Sequence, residues 1–294
     1  MATIKPVDED KIIIQDLKDF AKDSSIRVQM LRLDAIHPII SGNKWYKLKY
    51  NIEQALRQNA RGLLTFGGAY SNHLIATAAA AYHAGLGSTG VVRGIYSATQ
   101  LNPVLQQCMV YGMQLHFVSR EEYHLKEDAN FQQSLLQLFP DYLLIPEGGA
   151  NEAGRKGAAE IAAFIPPDAS HVLVSVGSAT TFIGLRNALP AEQQVIGFAP
   201  MKGGVYLNME IEHCLLPQKN NNWQLVDDYH YGGFGKFTPQ IAGFMSEFKQ
   251  QYGFELDRVY TAKMMMGLQD KLEKSFFPEG SRIICIHSGG LTGN

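Results

Sequence analysis

Cysteine is nearly missing from this sequence of 294 residues: there are three, Cys108, Cys214 and Cys285, far apart and odd in number. That spacing fits neither a disulfide framework nor a zinc site, and it suits a reducing compartment, so a cytoplasmic protein is expected. No apolar run reaches the roughly 20 residues that a membrane span requires. The opening stretch, Met1 to Asp10, is polar and acidic, unlike a signal or transit peptide. An excess of one charge is missing as well. Lys and Arg number 26 against 28 Asp and Glu, a net charge of −2, which leaves no basic footprint for nucleic acid or an anionic membrane. Internal repeats, low-complexity tracts and long linkers are absent too.

What is there reads as a globular α/β chain, with 46% hydrophobic and 18% charged residues. Apolar runs that predict strands lie at 27–33, 62–66, 88–92, 114–118, 142–146, 171–176, 195–199 and 282–287. Between them, helical patterns cover 45–58, 72–84, 101–111, 151–164, 181–189, 205–215, 239–250 and 261–275. This alternation predicts parallel-rich sheets flanked by helices, in more than one sheet. Residues 51–160 are expected to form a smaller α/β unit and residues 1–50 plus 161–294 a larger one. Pro166-Pro167 is one place where the chain changes domain. A ligand belongs in the cleft between the units, at the strand carboxyl ends.

Five stretches carry chemistry. In Ser41-Gly42-Asn43-Lys44, a glycine turn delivers a lysine to the start of an amphipathic helix. Leu48, Ile52, Ala55 and Leu56 form its apolar stripe; Lys47 points furthest from that stripe, and Lys44 and Lys49 flank it. A nucleophilic lysine needs a lowered pKa, from burial or a neighbouring cation such as Lys47; the alternative is three solvated lysines. In Phe66-Gly67-Gly68-Ala69-Tyr70-Ser71-Asn72-His73, a strand meets a helix N-terminus suited to a carboxylate, or Ser71 or Asn72 simply caps that helix. The turn Gly177-Ser178-Ala179-Thr180-Thr181 has the composition of a phosphate cradle, or is a plain βα turn. It lacks the P-loop lysine and dinucleotide glycine spacing, which argues against ATP and NAD. Asp257-Arg258-Val259-Tyr260-Thr261 runs into Met264–Met266, which read as core. Finally, the apolar strand 284–287 ends in Ser288-Gly289-Gly290, by default a plain turn.

Taken in order, these stretches and Ile145-Pro-Glu-Gly-Gly-Ala-Asn151 resemble the pyridoxal 5′-phosphate (PLP) dependent family that holds 1-aminocyclopropane-1-carboxylate (ACC) deaminase and D-cysteine desulfhydrase. The match runs from about Leu31 onward. The resemblance implies a two-domain tryptophan synthase β-like fold (PLP fold type II) and a homodimer. It also implies roles. Lys44 would hold PLP as a Schiff base and act as the base. Asn72 would bond the 3′-oxygen. Ser71 with the helix amides at Asn72 and His73 would hold the substrate carboxylate. Gly177, Ser178, Ala179, Thr180 and Thr181 would bind the phosphate, and Thr261 the pyridine nitrogen. Tyr260 would face the substrate, with Ser288 and Tyr231 beside it. Lys47 matches a second family lysine near the site.

ACC deaminases resemble one another in a glutamate after this tyrosine and a leucine in the final His-x-Gly-Gly; here Thr261 and Ser288 stand instead. A carboxylate keeps the ring nitrogen protonated and deepens the electron sink, whereas a hydroxyl supports a weaker one. That weaker sink suffices to acidify Cα and expel a good leaving group from Cβ. The expectation is therefore α,β-elimination from D-cysteine. The alternatives are ACC deaminase, a D-serine ammonia-lyase, a non-catalytic PLP-binding protein or a sugar- or nucleotide-phosphate binder. Many relatives carry a tyrosine where this chain has Phe234, and Tyr231 is its expected substitute.

Overall fold

A computed structural model describes residues 6–96, 101–219 and 221–291. Met1–Lys5, the start of the acidic opening stretch, lies outside them.

Among the described residues, ten strands form two sheets. The first is built from β3 (Gly62–Gly68), β4 (Gly87–Arg93), β5 (Met113–Val118) and β6 (Tyr142–Ile145), in the order β5-β4-β3-β6 and parallel throughout. The second joins β1 (Ile14–Asp16), β2 (Arg27–Arg32), β7 (His171–Ser175), β8 (Gln194–Phe198), β9 (Trp223–Val226) and β10 (Arg282–His287), in the order β1-β2-β10-β7-β8-β9. Only β1 runs antiparallel to its neighbour. The central strands are apolar on both faces because helices cover both. Val172, Leu173 and Val174 are fully buried, as are Ile283 and Cys285.

The helices are α1 (Asn43–Arg57), α2 (Asn72–His83), α3 (Pro103–Val110), α4 (Arg120–His124), α5 (Ala129–Leu138), α6 (Glu152–Ala159), α7 (Thr180–Ala188), α8 (Leu207–Cys214), α9 (Pro239–Tyr252) and α10 (Thr261–Glu273). Every expected strand and helix is present, with end shifts of a few residues. The expected 151–164 helix tightens to a 3-10 turn over Glu160–Phe164. Four elements add to the expectation: β1, β9, α4 and α5. The two strands are short edges of three and four residues. Helix α4 did carry a signal, the capping box of Ser119 and Glu122.

The chemistry-bearing stretches follow from this arrangement. Four of them lie just past the carboxyl end of a strand: β3 into Ser71, β6 into Gly148-Gly149, β7 into Gly177, β10 into Ser288. Helix α1 starts beside the last of these. Gly42 has φ +62°, and a Cβ there would collide with the Ser288 carbonyl. The Asn43 N–H donates to that carbonyl at 3.3 Å. Met264, Met265 and Met266 are buried in the core around β8 and β10, as read from the sequence. Among the described residues, no helix is long and apolar enough to cross a membrane.

Candidate active site

Lys44 sits in the first turn of α1, and its Nζ donates to Asn43 Oδ1 at 2.8 Å. Asn43 Nδ2 in turn donates to Thr181 Oγ1 at 2.9 Å, which ties α1 to the start of α7. Burial pulls the Lys44 pKa down to about 8, with Asp257 pulling it upward. Sequence periodicity did not separate Lys44 from Lys49. The structure does, because Lys49 pairs with Glu160 on another side of the helix.

Lys47, which the periodicity sets furthest from the apolar stripe, is nevertheless only 5% exposed, against the alternative of solvated lysines. The stripe packs into the core, while the other face of α1 is roofed by the Gly148-Gly149 turn. A Cβ on Gly149 would lie 3.1 Å from Lys47 Cβ. Lys47 Nζ reaches Ser178 Oγ at 3.3 Å, and burial and Lys44 push its pKa well down.

The turn after β7 is open. Ala179 holds the left-handed conformation at φ 52°, and no side chain caps α7. Its hydroxyls cluster instead, with Ser178 Oγ and Thr180 Oγ1 3.0 Å apart. Gly177 lies against Tyr260: a Cβ there would meet the Tyr260 ring at 3.2 Å.

At α2 the arrangement differs. Ser71 Oγ accepts the N–H of His73 at 3.2 Å and of Leu74 at 3.3 Å, so the helix caps itself. His73 points inward. Thr65 donates its hydroxyl to the Ile145 carbonyl, so it accepts from His73 Nε2 at 3.0 Å. That leaves His73 Nδ1 as a buried acceptor with no partner among the described residues. Burial, Lys47 and Lys44 hold its pKa down to about 3, so the ring is neutral.

Opposite Lys44 stands Asp257, which the sequence reading passed over. Its Oδ1 accepts the N–H of Val259 at 3.1 Å and of Tyr260 at 2.5 Å. It thereby shapes the turn that delivers Tyr260 and Thr261. An acidic residue just ahead of a helix start was the available signal. Burial raises its pKa to about 6, against the pull of those N–H groups and Lys44. Gly290 wedges in beside it, since a Cβ there would lie 2.7 Å from Asn72 Nδ2 and 3.3 Å from Asp257 Oδ2. Thr261 is fully buried, and its Oγ1 has no partner among the described residues.

The expected residues thus converge, with one exception. Asn43 bonds both Lys44 and Thr181, Lys47 bonds Ser178, which meets Thr180, Gly177 lies against Tyr260, and Gly290, just past Ser288, lies against Asn72 at the start of α2. Tyr231 does not join them; its ring packs into the apolar cluster of β8 and α10 and faces Asp270. The ring that reaches Tyr260 is Phe234, with centroids 5.8 Å apart. The backbone explains the exchange. Tyr231 sits at φ 47° and Gly232 and Gly233 also at positive φ, which turns Tyr231 inward and Phe234 outward.

Comparison with known proteins bears on this cleft. Residues 13–289 match the family described as pyridoxal-phosphate dependent enzyme. The chain is 28% identical to a putative 1-aminocyclopropane-1-carboxylate deaminase of Pyrococcus horikoshii, over 95% of this chain and 89% of that one. It is 30% identical to D-cysteine desulfhydrase of Yersinia enterocolitica, over 88% of this chain and 86% of that one. A crystal structure of an ACC deaminase homologue superposes with a TM-score of 0.84 at 25% identity, over 100% of this chain and 92% of that one.

Proposed function

Because the chain belongs to the pyridoxal-phosphate dependent enzyme family, with the type II fold, we propose that it catalyses α,β-elimination from a small D-amino acid, D-cysteine first. The cleft fits the cofactor. It offers a lysine whose amine is partly deprotonated near neutrality, an uncapped helix start ringed by hydroxyls and a cation, and one buried hydroxyl that lacks a partner. Lys44 would hold PLP covalently through its amine. Ser178, Thr180, Thr181, Lys47 and the amides of Gly177 and Ala179 would hold the phosphate. Asn72 would hold the 3′-oxygen, and Thr261 the pyridine nitrogen. When bound, PLP supplies an electron sink for charge developing at Cα.

The chain's own groups do the rest. The α2 start around Ser71, Asn72 and His73 orients the substrate carboxylate. The Lys44 amine, displaced by the substrate amine, takes the Cα proton. Tyr260, whose phenol burial keeps protonated, is placed to give a proton to the departing sulfur. With water, D-cysteine then yields pyruvate, hydrogen sulfide and ammonia. Residues 1–50 plus 161–294 and residues 51–160 act in this proposal as two domains that meet at the cleft, in a homodimer.

The single observation that carries the branch is Thr261, a neutral hydroxyl at the position where a carboxylate would deepen the sink. The names of the Pyrococcus relatives favour ACC as the second reading. One assay separates them. The holoprotein should release sulfide and pyruvate in equal amounts from D-cysteine, and the Lys44→Ala variant neither. If 2-oxobutanoate from ACC is the product instead, the second reading replaces the first. PLP bound with no turnover of either substrate removes both.

A further inference from the structure

Lys263 is 1% exposed and lies two residues past Thr261 in the first turn of α10. A buried ammonium needs three acceptors, and this one has them in two loops. Its Nζ donates to the His230 carbonyl at 2.9 Å, the Gly233 carbonyl at 2.8 Å and the Pro200 carbonyl at 3.5 Å. Both closer carbonyls also close the loop on itself. Gly233 N–H donates to His230 O at 3.0 Å and Lys236 N–H to Gly233 O at 3.2 Å.

The held segment is conformationally unusual. Tyr231, Gly232, Gly233 and Gly235 all have positive φ; the glycines adopt that region freely, and Tyr231 is the residue there that carries a side-chain cost. The consequence reaches the cleft through Phe234, which is 55% exposed and sets its ring at 72° to that of Tyr260. Tyr260 is thus fixed between Gly177 on one side and Phe234 on the other.

We propose that Lys263 is a positioning residue that clamps the 230–236 loop to α10, so that Phe234 forms a fixed wall of the substrate side rather than a lid. The wall's effect on substrate rests on the elimination reading above; the clamp itself does not.

The loop carries its own reporter. Lys236 is exposed and precedes Phe237, so trypsin can cut there once the loop opens. The experiment takes the full-length protein with and without PLP and D-cysteine. The wild type should resist cleavage after Lys236 equally in all states. Lys263→Met should be cut there at least about tenfold faster, since charge-assisted bonds are lost. Lys263→Arg, which keeps a buried cation, should recover most of the resistance. Phe234→Ala should stay resistant yet raise KM for D-cysteine about as much as Lys263→Met does, with kcat little changed.

Equal resistance of Lys263→Met and wild type overturns the clamp. So does a wild type that is cut readily until substrate is added, because that loop is a lid. If Lys263→Met does not fold, as circular dichroism will tell, the wild-type cleavage with and without substrate decides. If no form acts on D-cysteine, the elimination reading falls and the cleavage pattern still judges the clamp.

Discussion

Helices α2 and α7 both begin at the site, and they treat their first amides in opposite ways. Helix α2 spends Ser71 on its own His73 and Leu74 amides. Helix α7 starts at Ala179 in a left-handed conformation with no side-chain cap, and surrounds its amides with Ser178, Thr180, Thr181 and Lys47. In sequence both were a Gly/Ser-rich turn between strand and helix, with a bland reading and a ligand reading for each. The difference lies in what is already satisfied. A helix start that caps itself is stable alone and can only share its amides with a ligand. One left open, with Ala179 in the left-handed region and Lys47 beside it, is the better candidate for an anion.

The sharpest way to break this comparison is to place a negative charge at each start. Ser178→Asp should repel the phosphate and weaken PLP binding by roughly 100-fold or more, read by equilibrium dialysis of the cofactor. Removing the buried amine comes next: Lys47→Met should weaken PLP by about tenfold, with the fold intact by circular dichroism. Ser71→Asp should behave differently, because Asp caps as well as Ser. Cofactor affinity and melting temperature should stay within error while KM for the amino acid rises about tenfold from carboxylate repulsion. Equal losses of PLP at both positions would erase the distinction.

A third start, that of α10, refines the picture, since Asp257 ties down the turn before it from within. Asp257→Asn keeps the acceptor and removes the charge. The Lys44 ammonium then loses its favourable partner, so its pKa should fall below about 8 by up to about one unit. In the apoprotein this is read as the pH dependence of Lys44 modification by an amine reagent, with more reaction at neutral pH. A rise would mean that Asp257 does not act on Lys44 through its charge.

Much of the cleft was legible because its residues sit at special backbone positions. Gly42 before Lys44, the double glycine before Ser71 and the Gly/Ser/Thr run after β7 all mark strand-to-helix turns, and strand ends are where an α/β fold binds ligands. What stayed hidden depends on contacts across long sequence separations. The burial of Lys47 could not be read because helical periodicity reports one face of α1 and says nothing of the turn that roofs the other. Tyr231 and Phe234 were interchangeable as letters, and a run of positive φ angles decided between them. Asp257 lay within a stretch already under inspection, but its weight comes from Gly290 and Lys44, far away in the chain. Edge strands β1 and β9 were missed for a related reason, since three or four residues of mixed polarity gain a ladder only from neighbours already in place.

The interlock of Ser41-Gly42 with Ser288-Gly290 reaches beyond the finished protein. Gly290 N–H donates to Ser41 Oγ at 3.3 Å, and the Ser288 carbonyl receives the first amide of α1. A nascent polypeptide therefore carries Lys44 from early in translation but lacks the brace on the start of its helix until β10 and the turn after it have been made.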